Sequence, residues 1–336
     1  LAYSIADQSF QRSASLGILN VSMALLGELA HRPEIQKILV YRDPSIEIDP
    51  EVLWRPSIVT RDVQIRRAAR RVAWEQWGVN AAAKKDGADW LFLPKGFSSF
   101  LRPPAIRTVA YVHDIMAATY FDMYPAHGGR LKQAYFSRCL AATLRTATAI
   151  FTNTEFTRGE ILGWARRQGI APRADVIVAG YGLPEAQPPP DHREELIVSD
   201  VRNVPHKRSD LALRYLDKWC RDTGFGGKIL FAGRPPNPLP SKTPPSWVFA
   251  GRVPPSQYDK LIRSALAHVH FTEYEGFGLP PAEAIMWGTP AVYSEVGATA
   301  EAMGGVGCPF QNASYPAFAR AMDRALRADA ATIAAY

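Results

Sequence analysis

The sequence predicts an α/β chain made of two Rossmann-like domains, and three observations lead there. Short apolar runs alternate with helical periodicities along the whole chain, the pattern of parallel sheets covered by helices. The chain has 336 residues, more than one core ordinarily holds. Near its middle, LPEAQPPPDHRE at 183–194 interrupts the alternation, and three successive prolines suit neither a helix interior nor a central strand. The domains are therefore expected at 1–186 and 187–336, facing each other across a cleft.

The first half opens on a strand within LAYSIADQSF. Ile18, Val21, Leu25 and Leu29 then recur at helical spacing over 17–30. Apolar runs mark strands at 37–41, 90–93, 108–112, 149–153 and 175–179, with a helix over 129–145. The segment 61–78, RDVQIRRAARRVAWEQWG, holds five arginines and two tryptophans. Its Val63, Ile65, Ala68, Ala69, Val72 and Trp77 could form one apolar helical face, either covering a sheet or lying on an anionic membrane. The second half repeats the style, with strands at 195–200, 228–233, 247–250, 268–272 and 291–294. Helices are expected at 209–220, 256–266, 280–287 and 315–327. A proline-rich connection occupies 234–247.

A net charge of +7 favours anionic partners, but the basic residues are scattered, which argues against nucleic acid. No apolar run is long enough to cross a bilayer, and the first residues lack the regions of a signal peptide. Cys139, Cys220 and Cys308 stand far apart, with neither metal spacing nor an even disulfide framework, so a reducing cytoplasm is expected.

The most informative stretch is HVHFTEYEGFGLPPAEAIMWGTPAVYS at 268–294. It reads as strand, glycine turn, helix, strand. Pro280 and Pro281 suit the first turn of the helix, and Gly288 suits its end. A helix start at the carboxyl end of a parallel strand attracts phosphate. The prolines have no N–H, so the donors would come from Gly276, Phe277, Gly278 and Leu279, or from Ala282 and Glu283. Two carboxylates flank this loop, and carboxylates accept hydrogen bonds from hydroxyls. Glu283, in the first turn of the helix, is placed for a ribose diol on one side of the phosphates, and Glu275, at the strand end, for hydroxyls on the other. A nucleotide-sugar has that layout, although a plain glycine turn with a helix-favouring glutamate fits the same residues.

The wording of EGFGLPPAEAIMWGTPAVYSEVGATAE resembles the signature of the retaining glycosyltransferases of the large family four, in which seven residues separate two glutamates, as they do Glu275 and Glu283. Further segments are similar to that family: VHDIMAATYFDMYP at 112–125, FTNTEFTRGEI at 151–161, VPHKRSDLAL at 204–213, and VFAGRVPPSQYDKLIRSALAHVHFTEYEG at 248–276. The similarity spans about 75–325, and the family it points to includes bacterial mannosyltransferases and hexosyltransferases of surface-polysaccharide assembly.

The resemblance implies the GT-B architecture of two Rossmann-like domains. It also implies transfer of a hexose from a nucleotide-diphosphate sugar, GDP-mannose or a UDP-hexose, to a hydroxyl of a glycan or lipid-linked acceptor. It assigns Glu275 to the transferred sugar, Gly276, Phe277, Gly278 and Leu279 to sugar and diphosphate, Glu283 to ribose and Lys207 to diphosphate. Arg202 is the candidate for a second phosphate-binding cation, His113 for a residue near the sugar, and Gly17 for an N-terminal glycine loop. Asp114, Thr154, Glu155 and Arg158 could line the same cleft. Equally, His113 could be a hydrogen-bonded strand-end residue, Asp114 a cap, and Glu155 with Arg158 an ion pair.

Fixed cations at a departing diphosphate offset the charge that develops there, which suits Lys207 and Arg202. No Asp-x-Asp pair for a divalent metal occurs, so neither metal nor cofactor is expected. No Gly-x-x-x-x-Gly-Lys-[Ser/Thr] phosphate loop occurs either. An epimerase or sugar phosphorylase of the same architecture, or a non-catalytic sugar-nucleotide-binding subunit, remains an alternative. The expected location is the cytoplasm, at the inner face of the membrane if the acceptor is lipid-linked.

Overall fold

Parallel pairing links every strand to its neighbours in two separate sheets. The computed structural model describes residues 1–8, 16–234 and 243–336, so most of the proline-rich connection at 234–247 and the start of SASLGILN lie outside the described residues. The chain divides into two compact units, Leu1–Gly182 and Leu183–Tyr336.

In the first unit the strands are β1 (Ala2–Ser4), β2 (Ile38–Arg42), β3 (Ile58–Asp62), β4 (Trp90–Leu93), β5 (Arg107–Val112), β6 (Ala149–Thr152) and β7 (Val176–Val178). The helices are α1 (Leu16–Ala30), α2 (Pro50–Leu53), α3 (Ala68–Ala73), α4 (Val79–Lys85), α5 (Met116–Met123), α6 (Arg130–Thr146) and α7 (Glu155–Arg167), with a π-helical turn at Trp74–Gly78 between α3 and α4. The strand order is β3-β2-β1-β4-β5-β6-β7. Alternation along the strands feeds opposite faces. Tyr3, Ile38 and Val40 pack with Leu19 and Leu26 of α1, whereas Tyr41 and Leu91 pack with Val79 and Ala83 of α4.

The segment 61–78 is not one helix. Arg61 and Asp62 pair with Tyr41 and Arg42 as the end of β3, and helix begins only at Ala68. Val63 and Ile65 therefore belong to the connection and share no helical face with Trp77. Gly78 ends the π-helical turn, where a side chain would strike the Trp74 ring at 2.6 Å.

The second unit contains β8 (Leu196–Asp200), β9 (Lys228–Ala232), β10 (Trp247–Gly251), β11 (Ala267–His270), β12 (Ala291–Ser294) and β13 (Cys308–Phe310). Its helices are α8 (Ser209–Thr223), α9 (Pro255–Ser264), α10 (Leu279–Met286), α11 (Gly297–Met303), α12 (Tyr315–Arg327) and α13 (Ala330–Ala334), with a 3-10 turn at Pro205–Lys207. The order is β10-β9-β8-β11-β12-β13. Ile197, Val269, Phe271 and Phe310 pack on α8 and α12, while Leu196, Val198 and Tyr293 face α9, α10 and α11. With both faces covered, the strands of this sheet are mostly apolar runs, as parallel sheets favour, and the polar exceptions include Asp200 on β8 and His268 and His270 on β11. The order reverses between β8 and β11, and doubly wound sheets bind ligands outside the carboxyl ends of strands at such a point.

Candidate active site

The loop leaving β8 turns sharply to reach α8. Ser209 Oγ accepts from the Arg202 N–H and donates to the Arg202 carbonyl, both at 2.9 Å, which pinches the loop shut. Arg208 adopts φ 42° and ψ 37°, the one positive φ of a non-glycine among the described residues. That conformation costs about 1–3 kcal/mol. Ion pairs to Glu273 and Asp210 hold the side chain, and the Leu211 N–H binds the Arg208 carbonyl at 2.9 Å. The Glu273 N–H and Thr272 Oγ1 donate to the His206 carbonyl at 2.7 and 3.1 Å, so the loop after β8 is tied to the loop after β11. Lys207 sits where the two loops meet. Arg202 is exposed, and the pinch fixes its backbone.

The loop after β11 is braced from the far side. Ser294 Oγ accepts from the Thr272 N–H at 3.0 Å, and Asn312 Nδ2 donates to the Thr272 carbonyl at 2.6 Å. Gly278 has φ 96°, and a side chain there would lie 2.8 Å from Thr299 Oγ1. Both facts require glycine at 278. Gly278 is the N-cap of α10, so Leu279 is the first helical residue and the two prolines come second and third. Glu283 therefore stands in the second turn, not the first as the proline positions suggested. The Ala282 N–H bonds the Gly278 carbonyl at 3.4 Å, which removes it from the donors expected from the sequence. A helix leaves its first N–H groups without internal partners, and the prolines have none to offer. The donors at this helix end are those of Gly278 and Leu279.

A buried polar chain links these loops. Glu275 Oε1 receives both Lys207 Nζ and His270 Nε2, the latter at 3.1 Å. His270 Nδ1 lies 3.4 Å from Asp200 Oδ2, which also binds His268 Nε2 at 2.8 Å. The Tyr258 hydroxyl donates to Asp200 Oδ1 at 2.7 Å. His268 and His270 are fully enclosed, and their spacing of two on one strand points both to the same face. Burial pushes the Glu275 carboxyl up, but Lys207 and His270 outweigh it and hold it well below the usual carboxylate range. Burial likewise lowers His270, while hydrogen bonds to Asp200 and Glu275 bring it above its ordinary value. Glu283 differs. Burial first, then the nearby Asp200 and Asp259 carboxylates, push it up to about 7. No cation among the described residues pairs with it.

The sequence reading missed Asp200, Tyr258, His268 and His270. The HVH spacing was a usable signal, because two histidines on the buried face of a strand must find polar partners.

The first-unit candidates have other surroundings. His113 is 3% exposed, and its ring nitrogens engage the Tyr181 hydroxyl and the Pro94 carbonyl. Burial lowers it to about 4, so at neutral pH it is an uncharged, doubly bonded histidine. Asp114 Oδ1 accepts from the Met116 N–H at 2.8 Å, at the start of α5. Thr154 is the N-cap of α7 and accepts from the Thr157 N–H. Glu155 and Arg158 form an ion pair at 3.0 Å on the exposed side of α7. Gly17 is the second residue of α1. Caps and helix-surface pairs explain these four polar residues without a ligand.

Residues 195–328 match the family model described as "Glycosyl transferases group 1". No curated protein matched the chain. Among solved structures, WaaG, a glycosyltransferase involved in lipopolysaccharide biosynthesis, is 15% identical with a TM-score of 0.67, over 99% of this chain and 92% of that one. An alpha,alpha-trehalose-phosphate synthase (UDP-forming) from Burkholderia xenovorans is 10% identical with a TM-score of 0.64, over 99% and 93%. The lipopolysaccharide outer core galactosyltransferase WaaB is 12% identical with a TM-score of 0.57, over 97% and 89%. At such identities the likeness is one of fold, whereas the family match reaches β8, β11, α10 and the loops just described. Residues 195–328 are therefore a group 1 glycosyltransferase domain, within a chain of two parallel-sheet units whose fold these glycosyltransferases share.

Proposed function

We propose that this chain is a retaining glycosyltransferase that moves a hexose from a nucleoside-diphosphate sugar to a hydroxyl of a glycan or lipid-linked acceptor. One observation carries the reading. At the switch point of the second sheet, a half-buried ionised carboxylate, Glu275, adjoins a helix start with two available amides and the ammonium of Lys207, with a second carboxylate, Glu283, one turn further on. Amides and ammonium suit a diphosphate. Glu275 suits sugar hydroxyls, and Glu283 suits the ribose diol. Leaving-group charge falls on Lys207 and the helix end, so the reaction proceeds without a bound metal. The leaving diphosphate takes the acceptor proton on the same face of the sugar, which retains the anomeric configuration. GDP-mannose and UDP-hexoses are the donors in view, and surface polysaccharide or lipopolysaccharide is the product class in view.

No helix among the described residues is long and apolar enough to cross a membrane. Arg66, Arg67, Arg70 and Trp77 are exposed, which supports peripheral contact with an anionic membrane carrying a lipid-linked acceptor at its cytoplasmic face. The test of the reading is nucleotide release from UDP-glucose, UDP-galactose and GDP-mannose, with product stereochemistry read by NMR. Release by the native chain and its loss in Glu275→Gln supports the proposal. Equal release by both refutes it.

A further inference from the structure

Glu275 is held by two cations on the same oxygen, and the proposed reaction needs one of them elsewhere. Lys207 has a flexible stem and a point charge free to rotate, the properties of a group that can leave one anion for another. His270 has neither freedom. It is 1% exposed, and each ring nitrogen faces a carboxylate, Nε2 to Glu275 at 3.1 Å and Nδ1 to Asp200 at 3.4 Å. Two acceptor-only partners require both nitrogens to carry protons, which makes the ring an imidazolium.

Resting on the donor-site reading above, we propose that His270 is a positioning residue that keeps Glu275 ionised and aimed when Lys207 moves from it to the donor's diphosphate. Without a second cation, that move would strand a half-buried carboxylate, which burial drives toward its protonated form. A protonated Glu275 would no longer present two acceptor oxygens to the sugar. Asp200 anchors the ring from behind and is itself fixed by Tyr258 and His268.

The charged and titratable groups around His270 and its partners Asp200, Glu275 and Lys207 come from several elements. Asp200 ends β8, His268 shares β11, and Glu275 follows β11. Lys207 and His206 lie in the 3-10 turn, Tyr258 is on α9, and Glu283 is on α10. Of these, Asp200 and Glu275 favour the charged ring, and Lys207 opposes it. Removing Lys207 therefore strengthens the hold of His270 on its proton.

Histidine-labelled NMR of the intact chain tests this without a substrate, the His270 signal being assigned from its loss in His270→Gln. The native ring stays an imidazolium at pH 7.5, its titration moves to higher pH in Lys207→Met, and Asp200→Asn lowers the midpoint by one pH unit or more. Release of nucleotide from UDP-glucose or GDP-mannose supplies a second readout. His270→Gln lowers kcat at least tenfold with little change in donor KM, and Asp200→Asn shifts the alkaline fall of kcat to lower pH. A purely structural histidine would leave that fall in place. A neutral ring at pH 7.5, found together with an inactive Glu275→Gln variant, overturns this inference alone. A Glu275→Gln variant with normal turnover overturns it together with the donor-site reading.

Discussion

Glu283→Gln should stabilise the protein above pH 7 while weakening its hold on nucleotide. The carboxyl is half-buried, has no cation partner among the described residues, and has its ordinary 4.5 pushed up to about 7 by burial, then by Asp200 and Asp259. A group whose folded-state pKa lies above its unfolded value contributes stability that is fully present below the unfolded pKa. That contribution is lost as pH rises toward the folded pKa. Ionised Glu283 therefore burdens the folded state at pH 8. The gap between 4.5 and about 7, at about 1.36 kcal/mol per pH unit, sets an upper bound of about 3 kcal/mol. Glutamine keeps the shape and removes the charge. Urea denaturation at pH 8 should show the variant more stable by about 2–3 kcal/mol, or several degrees in Tm. The gain should shrink as pH falls and vanish near 4.5. Nucleotide affinity should meanwhile drop about tenfold or more, because one carboxylate no longer accepts two ribose hydroxyls. Equal stability of the two proteins at pH 8 would refute the electrostatic reasoning, and an unchanged Kd would refute the ribose assignment.

Glu275→Gln and Lys207→Met should each lower turnover by about a hundredfold, with circular dichroism unchanged, as expected for losing a preorganised charged contact. Gly278→Ala meets both a left-handed backbone and the Thr299 side chain, so it should cost about 1–3 kcal/mol. Adding Thr299→Ala should recover part of that loss but not all, since the backbone strain remains; full recovery would show that φ is relaxed there. His113 should show no NMR titration between pH 5.5 and 8. Its folded pKa of about 4 lies below the unfolded value, so its contribution is present above about 6.5 and is lost as pH falls toward 4. Flotation with anionic liposomes at low salt should carry the protein upward, and replacing Arg66, Arg67 and Arg70 with glutamine should abolish it; a native chain that stays at the bottom ends the membrane reading.

Most strands were legible because each is a short apolar run, and β4 and α12 have the bounds read from sequence. β3 escaped notice because IVTRD is half polar, and β13 because CPF is only three residues long and contains proline. The segment 61–78 misled for a different reason. Its apolar residues fit helical spacing, but pairing with β2 draws Arg61 and Asp62 into the sheet and leaves Val63 and Ile65 in the connection before α3. In the site, the Glu275–Glu283 spacing and Lys207 were visible as local wording. The chain from Asp200 through His270 to Glu275 was not, because its partners Asp200 and His270 lie 70 positions apart and meet only where β8 adjoins β11. For the strand-end residues the sequence left two readings open. The hydrogen bonds of His113 to Tyr181 and Pro94, of Asp114 to Met116 and of Thr154 to Thr157 match the local, structural one.

The central claim is that a sugar nucleotide occupies the turn from Glu275 to Glu283, and a co-crystal with whichever of UDP-glucose or GDP-mannose raises Tm more tests it most directly. The account predicts diphosphate oxygens on the Gly278 and Leu279 amides, Lys207 drawn off Glu275 onto the phosphates, and ribose hydroxyls on Glu283. A nucleotide lodged anywhere else, with the Lys207–Glu275 pair intact and Glu283 untouched, would contradict it.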